Sequence, residues 1–583
     1  TLQEQAVKAV KALYDVDFDP NKLIINPTRK DIEGDFTLVV FPFTKIAKKG
    51  PEQVANELGT HLAEALTEVE SFNVVKGFLN FTLTNNYWMH FLTEVNQNEN
   101  FGKGSAKNKK VLVEYSSPNT NKPLHLGHIR NILLGWSVSQ VLEAAGYEVI
   151  KAQIINDRGI HICKSMIAWQ KFGNGETPTT SGMKGDHLIG KYYVKYASEE
   201  KAQKAELVAA GTPDEEPAIL QEARAMLVQW ENNDPEVIKL WKTMNGWVYQ
   251  GFEETYKSLG VYFDKYYYES NTYILGNDIV DEGLNKGLFY EKADGSVWID
   301  LEDAKLDHKL VRRSDGTSVY ITQDLGTAQL RFKDFGTEKM VYVVGDEQEY
   351  HFKVLFEILK RMGESYADGL YHLSYGMVNL PSGRMKSREG TVVDADDLMR
   401  EVIFEAQQQS LERATLDGVE DAQKQAIWRM IGMAALKYYI LNVSPKKSMV
   451  YNPTESLELQ GKTGPYIQNA FVRIQGVNRN LEGHEMTDDY QAYPIAAAEK
   501  DLLKLMHHFP KLIQEAAEKY DPSEVAHFAY DLAKAYHKFY HDYRILAAET
   551  EEAKNFRLAL SKASGSTLQF AMQLLGIEMP DRM

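Results

Sequence analysis

Two histidines flank a glycine in Pro118-Asn119-Thr120-Asn121-Lys122-Pro123-Leu124-His125-Leu126-Gly127-His128, where the β run Val111-Leu112-Val113-Glu114-Tyr115 gives way to an apolar-periodic helix. A strand-to-helix junction offers free backbone N–H groups and the positive end of the helix dipole, so it attracts anions. Three residues apart on the first turn, His125 and His128 can face one phosphate chain. As donors they would stabilise the charge that builds on a pentacoordinate α-phosphate during adenylyl transfer. Gly127 would let a base or phosphate approach the backbone. The plainer alternative is a His pair that caps the helix or binds zinc, but no third zinc ligand stands at a telling spacing.

A second cationic element lies further along: Gly383-Arg384-Met385-Lys386-Ser387-Arg388-Glu389-Gly390. Lysine and arginine between two glycines make a loop able to fold over a triphosphate and hold departing pyrophosphate. Alone it is a common surface loop; paired with the His motif it points to nucleotide chemistry.

The elements that must position these groups read as follows. The strand at Val111, a helix from about Gly127 to Ala145, a stop at Gly146 and a strand Glu148 to Ile155 form a βαβ unit with a parallel sheet. The run Met340 to Gly345, followed by a helix from Glu349 to Arg361, repeats the pattern. Together they predict one doubly wound, Rossmann-type sheet with ligands beyond the carboxyl ends of its strands. Residues 171–290 read as an insertion. Before the sheet, a helix from Leu2 to Leu13, a strand from Phe36 to Phe43, a helix opened by Pro51 and running to about Val69, and a strand Phe78 to Leu83 make a small α/β module. It is closed by a polar linker around residues 102–110. From about residue 400 the chain is helical. Asp521-Pro522-Ser523-Glu524 signals a helix start, and the aromatic stripe after it, Phe528 to Tyr543, reads as core. A last helix runs from about Asn555 to Leu575. The expected domains are therefore 1–105, 106–400, a helical connector 401–450, and 451–583.

The 583 residues carry a net charge of −17, with 44% hydrophobic and 25% charged residues, the make-up of a folded globular chain. The length suggests about four domains, or three with one enlarged, at ~150 residues each. No run of ~18 uncharged apolar residues and no secretory leader is legible. The single Cys163 forms no internal disulfide or cysteine-rich metal site, which fits a cytoplasmic protein. Acidic net charge does not exclude RNA, because binding follows where positive charge is displayed.

These motifs carry a resemblance. His125-Leu126-Gly127-His128 and the loop at 384–390 resemble the class I aminoacyl-tRNA synthetases. Val113-Glu114-Tyr115-Ser116-Ser117-Pro118-Asn119, Ser318-Val319-Tyr320-Ile321-Thr322-Gln323-Asp324, Thr463-Gly464-Pro465-Tyr466-Ile467-Gln468 and the terminal Leu574-Leu575-Gly576-Ile577 resemble the arginyl members of that class, over almost the whole chain. The resemblance implies activation of arginine by ATP, with magnesium, to arginyl-adenylate, and transfer to the 3′-terminal adenosine of tRNA(Arg) by a monomer. It also implies a first step that waits for tRNA, a D-arm-binding N-terminal module and an anticodon-binding C-terminal domain.

The same resemblance places arginine against Glu114, Asn119, Tyr320, Asp324 and Gln348. A planar guanidinium with five donors demands such carboxylates and fixed acceptors. Tyr320 and Asp324, four apart, would share a helix face. Asn80 and Phe81 are expected at the D-arm, and Tyr466 and Met583 at the anticodon, although Phe81 alternates with Leu79 and Leu83 as a core residue would. The signature loop Lys-Met-Ser-Lys-Ser has Ser387 where the class keeps its chief phosphate lysine, so Lys122 is expected to share that role with Lys386 or Arg388. Asn156-Asp157-Arg158-Gly159 replaces a Gly-Asp-Trp-Gly segment often found after the second strand, and Asn469 stands where a second tyrosine is common. The rival readings are a tRNA-free nucleotidyl-transferring enzyme of the same superfamily, a non-catalytic tRNA-binding relative and, least, a zinc hydrolase.

Overall fold

The computed structural model describes residues 2–29, 31–379, 381, 393–413, 416–481, 490 and 493–583. The N-terminal module opens with helix α1 (Leu2–Tyr14). Strands β1 (Ile25–Pro27) and β2 (Phe36–Val39) follow, then helices α2 (Phe41–Ala47) and α3 (Pro51–Ala65), strands β3 (Val69–Val75) and β4 (Phe78–Leu83), and helix α4 (Asn85–Gln97). The sheet is antiparallel in the order β1-β2-β4-β3. The strand expected over Phe36 to Phe43 ends at Val39, because Pro42 lies in the first turn of α2, where a fixed φ and a missing N–H favour helix initiation. The helix expected to reach Val69 stops at Ala65, and Val69 opens β3 instead. Buried Asp35 fixes this module to the C-terminal region: it accepts from the Leu83 N–H at 2.7 Å and pairs with Lys504 at 2.7 Å and Lys500 at 3.0 Å.

The parallel-sheet domain begins with β5 (Lys110–Glu114), α5 (Leu126–Ala144) and β6 (Glu148–Ile155). Helices α6 (Ile160–Phe172), α7 (Pro178–Ser181), α8 (Gly185–Ala209), α9 (Ala218–Glu231) and α10 (Pro235–Leu259) lead to strand β7 (Lys265–Tyr268). Two short helices, α11 (Glu269–Thr272) and α12 (Asn277–Asn285), precede an antiparallel sheet of β8 (Phe289–Glu291), β9 (Val297–Ile299) and β10 (Lys309–Arg312). The parallel-sheet domain resumes with α13 (Tyr320–Phe335), β11 (Lys339–Gly345), α14 (Glu349–Met362) and β12 (Leu370–Tyr375).

All pairs in the five-stranded sheet β12-β11-β5-β6-β7 are parallel. In chain order that is 3-2-1-4-5 with the direction of winding reversing between β5 and β11, the switch point at which doubly wound sheets bind ligands. Strand β7 lies inside the span read as an insertion. Its Lys-Tyr-Tyr-Tyr sequence is only partly buried at the sheet edge, so it lacks the apolar run of an interior parallel strand.

Strand β13 (Val378–Asn379) pairs in parallel with β14 (Met449–Val450), which follows helices α15 (Ala395–Arg413) and α16 (Asp421–Leu441). Helices α17 (Pro453–Ser456), α18 (Gly464–Arg479), α19 (Ala497–Lys519), α20 (Ser523–Asp542) and α21 (Glu551–Leu574) complete the chain. Helix α5 is buried on nearly every side, as an apolar helix must be, because the sheet covers one face and α16, α19 and α21 the others. Its Ser137 hydroxyl donates to the Leu574 carbonyl at 2.8 Å, and its buried Arg130 donates to the Pro445 and Lys447 carbonyls at 3.1 and 2.6 Å. The helical region thus grips the helix that carries the His motif. No helix among the described residues is long and apolar enough to cross a membrane.

Candidate active site

Strand β5 ends at Glu114, and the chain then turns sharply. Ser116 is wholly buried with φ 57°, a left-handed conformation that costs a side-chain-bearing residue about 1–3 kcal/mol. Its N–H donates to Asn131 Oδ1 at 2.6 Å, and its hydroxyl lies 2.8 Å from the Tyr256 hydroxyl. Asn131 Nδ2 donates in turn to the Val343 carbonyl at 2.7 Å, so one α5 side chain ties the loop after β5 to the end of β11 at the switch point.

His125 is the N-cap of α5. Its Nδ1 accepts from the Gly127 N–H at 3.1 Å, and His128 Nδ1 accepts from the His125 N–H at 3.1 Å. The rings lie 3.8 Å apart, centroid to centroid. A Cβ on Gly127 would stand 3.0 Å from the His125 ring, so the glycine makes room for the cap. Burial pushes the His125 imidazole down to about 3, with Lys122 adding to the effect; burial, His125 and Lys122 hold His128 well below the usual range. Both rings are therefore neutral near pH 7. Because each Nδ1 accepts a backbone N–H, each proton must reside on Nε2. The capping and phosphate-binding readings are thus compatible: one nitrogen of each ring builds the helix end and leaves the other as a fixed donor.

Lys122, His125, Gly127 and His128 line a cavity of about 500 Å³ together with Ser117, Asn131, Val343, Gly345 and Glu347. Lys386, Ser387 and Arg388 lie outside the described residues. The segment that follows them is joined to the His motif: the Leu126 N–H donates to the Val393 carbonyl at 3.1 Å, and the Ala395 N–H to the Leu124 carbonyl at 3.0 Å.

A second cavity of about 810 Å³ brings together Asn119, Asn156, Arg158, Glu269, Tyr320 and Asp324. Ser117 lines the first cavity and Asn119 the second, so loop 117–119 stands between them. Asn156 holds that loop by accepting from the Thr120 N–H at 3.1 Å and donating its own N–H to the Pro118 carbonyl at 3.0 Å. Tyr320 opens α13 and is 75% exposed; Asp324, one turn on, lies 2.6 Å from His351 Nε2. Buried Asp157 accepts from the Ser270 N–H, the Ser270 hydroxyl and the Tyr249 hydroxyl, each at 2.8 Å, which locks the end of β6 to α11 and α10. Arg158 is already engaged, 3.9 Å over the Tyr273 ring and 2.9 Å from Glu231.

Two of the expected arginine contacts are placed elsewhere. The Glu114 carboxylate is buried and paired with the guanidinium of Arg331, itself 2% exposed between the rings of Tyr267 and Tyr342. Its acid is thus met from within the chain. Gln348 is exposed in the short turn Asp346–Gln348 and lines neither cavity; its neighbour Glu347 faces the first. Glu269, in contrast, was not singled out by the sequence. Burial pushes its carboxyl up to about 7, against the pull of Arg158 and with the help of Asp157 and Asp324. It follows β7 directly, and only the recognition of that edge strand marks it as a residue at a carboxyl end.

The expected RNA contacts divide similarly. Asn80 and Phe81 are fully buried, with Asn80 accepting from the Thr37 hydroxyl at 2.6 Å and donating to Asn73 Oδ1 at 2.9 Å, so neither offers a face to a base. The exposed aromatics here are Phe78, on the same strand, and Phe41, 5.3 Å away edge to face. Tyr466 is half-buried beside Tyr530 and His537, with Lys462 over the Tyr530 ring. The aromatic stripe of α20 is core at Phe528, Leu532, Tyr536 and Phe539, but Tyr540 is 40% exposed. Met583 packs on a cluster containing Ile431 and Leu457, and the tail before it is pinned by Gln468 on the Glu578 carbonyl and Arg479 on the Asp581 carbonyl, both at 2.8 Å. Among the described residues two groups of acidic and histidine side chains converge, Asp186–His187–Asp396 and Asp300–Glu302–His308; neither lines a site cavity.

Residues 1–83 match the family described as the arginyl tRNA synthetase N terminal domain, residues 91–452 the catalytic domain of tRNA synthetases class I (R), and residues 467–583 the DALR anticodon binding domain. The chain is 50% identical to an arginine–tRNA ligase of Bacteroides thetaiotaomicron, covering all of this chain and 99% of that one. The chain belongs to the arginyl-tRNA synthetases of class I. A Flavobacterium psychrophilum arginine–tRNA ligase is also 50% identical, with 99% and 98% of the two chains covered. In fold the synthetase is similar to Thermus thermophilus arginyl-tRNA synthetase (TM-score 0.81, 22% identity, both chains covered in full) and to the Plasmodium falciparum enzyme (TM-score 0.78, 18% identity, 100% and 98% covered). It is an ATP-using arginine–tRNA ligase, and the readings as a zinc hydrolase, a tRNA-free enzyme or a non-catalytic relative fall with the full-length match.

Proposed function

We propose that the cavity at the His motif binds ATP, that the cavity at Asp324 binds arginine, and that loop 117–119 marks where the two react. The arginine carboxylate attacks the α-phosphorus of ATP, the bond to the β-phosphate oxygen breaks, and pyrophosphate leaves. The Nε2–H groups of His125 and His128 stabilise the added charge on the α-phosphate, and Lys122 neutralises the departing phosphates. Magnesium enters with the ATP phosphates as part of the substrate. In the second step a hydroxyl of the terminal adenosine of tRNA attacks the arginyl carbonyl carbon and AMP leaves.

Asp324 and Glu269 receive the guanidinium, with Tyr320 and Asn119 as fixed polar groups. Two carboxylates against one planar cation suit arginine, whereas citrulline offers them no charge. The first step waits for tRNA, a reading supported by the open arginine pocket with Tyr320 exposed at its wall, as expected of a site completed by a later partner. The exposed Phe41–Phe78 pair offers a stacking platform to unpaired D-arm bases, and Tyr466 with Lys462 and Tyr530 offers one at the anticodon. The enzyme works as a monomer in the cytoplasm, where its single buried cysteine stays reduced.

The observation that carries this reading is the acceptance of backbone N–H groups by both Nδ1 atoms, which leaves each ring its Nε2 as donor, both rings lining one cavity. ATP–pyrophosphate exchange with each amino acid in turn, with and without tRNA, tests it. Exchange with arginine alone and only with tRNA is expected; exchange with another amino acid overturns the pocket assignment.

A further inference from the structure

Beside the nucleotide cavity lies an ionic cluster that the reaction does not use. Lys184, the N-cap of α8, donates to Thr255 Oγ1 at 2.6 Å, pairs with the Asp396 carboxylate and stands 3.3 Å from Asp186 Oδ2. His187 Nε2 lies 3.1 Å from Asp396 and 3.3 Å from Asp394. Asp186 is wholly buried against α10, so tightly that a Cβ on Gly251 would meet its Oδ1 at 2.2 Å. The ammonium of Lys184 occupies the space between the carboxylates that a metal ion would need, so the cluster is an ion-pair clamp. It joins α8 and α10 to the segment that enters α15.

The other edge of that segment touches the His motif. His125 and Asp394 form an antiparallel bridge, flanked by the two backbone hydrogen bonds that Val393 and Ala395 make with Leu126 and Leu124. Helix α8 also abuts the loop before the motif, since a Cβ on Gly190 would stand 2.7 Å from Pro123. Any slip of the Asp394 segment moves the backbone whose N–H fixes the imidazole of His128. We propose that Lys184 and His187 are positioning residues for adenylyl transfer: by clamping Asp394 and Asp396 they set the position of the His125 and His128 donors against the α-phosphate. This rests on the assignment of that cavity to ATP.

The charged groups facing His187 are Lys184 and Asp186 from α8 and Asp394 and Asp396 from the clamped segment, with Asp397 beyond Asp394; α10 contributes the neutral Thr255. The hydrogen bond to Asp396 raises the His187 imidazole above its usual range, with Asp394 and Asp186 adding to the effect. That direction favours the charged imidazole in the clamp, a charge that is lost as pH rises through the raised value.

The test is pyrophosphate exchange by the full chain with tRNA present, comparing Lys184→Met and His187→Gln with wild type and with His128→Ala. A displaced donor pair is expected to cost Lys184→Met about ten- to hundredfold in kcat/KM for ATP, with KM for arginine within about twofold. His187→Gln, which keeps a donor but not a titrating charge, is expected to lower kcat/KM for ATP with KM for arginine within about twofold, and to fall off less than wild type as pH rises through the raised value of His187. If Lys184→Met does not fold, His187→Gln supplies the same split. Equal changes for ATP and arginine, or an unchanged profile in His187→Gln, would overturn the clamp. Normal exchange by His128→Ala would overturn the cavity assignment instead, which keeps the two failures distinct.

Discussion

Replacing Glu269 by Gln probes arginine recognition with a signature of its own. The carboxyl titrates at about 7 in the free enzyme, and only its ionised form attracts a guanidinium. A group with that midpoint is about one-tenth ionised at pH 6 and about nine-tenths ionised at pH 8, so kcat/KM for arginine should rise about tenfold across the interval. The sign follows from the raised value: affinity is present above about 7 and is lost as pH falls through it. Gln keeps an oxygen acceptor but not the charge. The loss of a charge-assisted hydrogen bond, about 1.5–3 kcal/mol, should lower kcat/KM about ten- to hundredfold at pH 8. It should also flatten the pH dependence, so that the gap between variant and wild type narrows by about tenfold at pH 6. Steady-state exchange at saturating ATP and tRNA, with arginine varied at each pH, measures both effects. A variant that keeps the wild-type slope, or stays within about twofold of its kcat/KM at pH 8, would refute the assignment of Glu269 to the guanidinium.

Arg331→Met should lower the thermal midpoint, because it leaves the Glu114 carboxylate buried without its cation at a cost of about 3–5 kcal/mol; adding Glu114→Gln should restore part of it, and scanning calorimetry of the two variants decides. Phe78→Ala should raise KM for tRNA by the loss of a stacked base, about 1–3 kcal/mol, without changing the thermal midpoint. Phe81→Ala should instead destabilise the N-terminal module by about 3–5 kcal/mol, so tRNA titration and thermal melts must separate the two. Lys122→Ala should sharply slow exchange at saturating arginine, and an unchanged rate would remove Lys122 from the phosphate site.

How much of this was legible in the sequence follows from where each contact is made. Strands β5, β6 and β11 are interior parallel strands, buried on both faces, so their apolar runs stand out and the His motif between β5 and α5 falls at the switch point. Edge strand β7 has no such run, and with it Glu269 stayed hidden inside an apparent insertion. The helix spacing of Tyr320 and Asp324 is local and was readable. The fate of Glu114 depends on Arg331, which reaches it only through the fold. Strand alternation marked Phe81 as core, but the burial of Asn80 is made affordable by Thr37 and Asn73 on neighbouring strands, a match no local pattern reveals. The aromatic stripe of α20 gave its buried face at Phe528, Leu532, Tyr536 and Phe539, while Tyr540 is 40% exposed and meets Arg473 of α18 over its ring, a contact made only through the fold.

The central claim is that His125 and His128 serve as Nε2 donors while their Nδ1 atoms cap α5. An asparagine amide can reproduce the Nδ1 acceptor and keep the cap, whereas a glutamine amide can place an N–H near the lost Nε2. Pyrophosphate exchange by His125→Asn and His125→Gln, each at saturating arginine and tRNA, tests this directly. Loss of one transition-state donor is worth about 10²–10³ in rate, so the account predicts that Gln retains at least about tenfold more activity than Asn. Equal activities, or Asn the better of the two, would show that the cap alone matters and would contradict it.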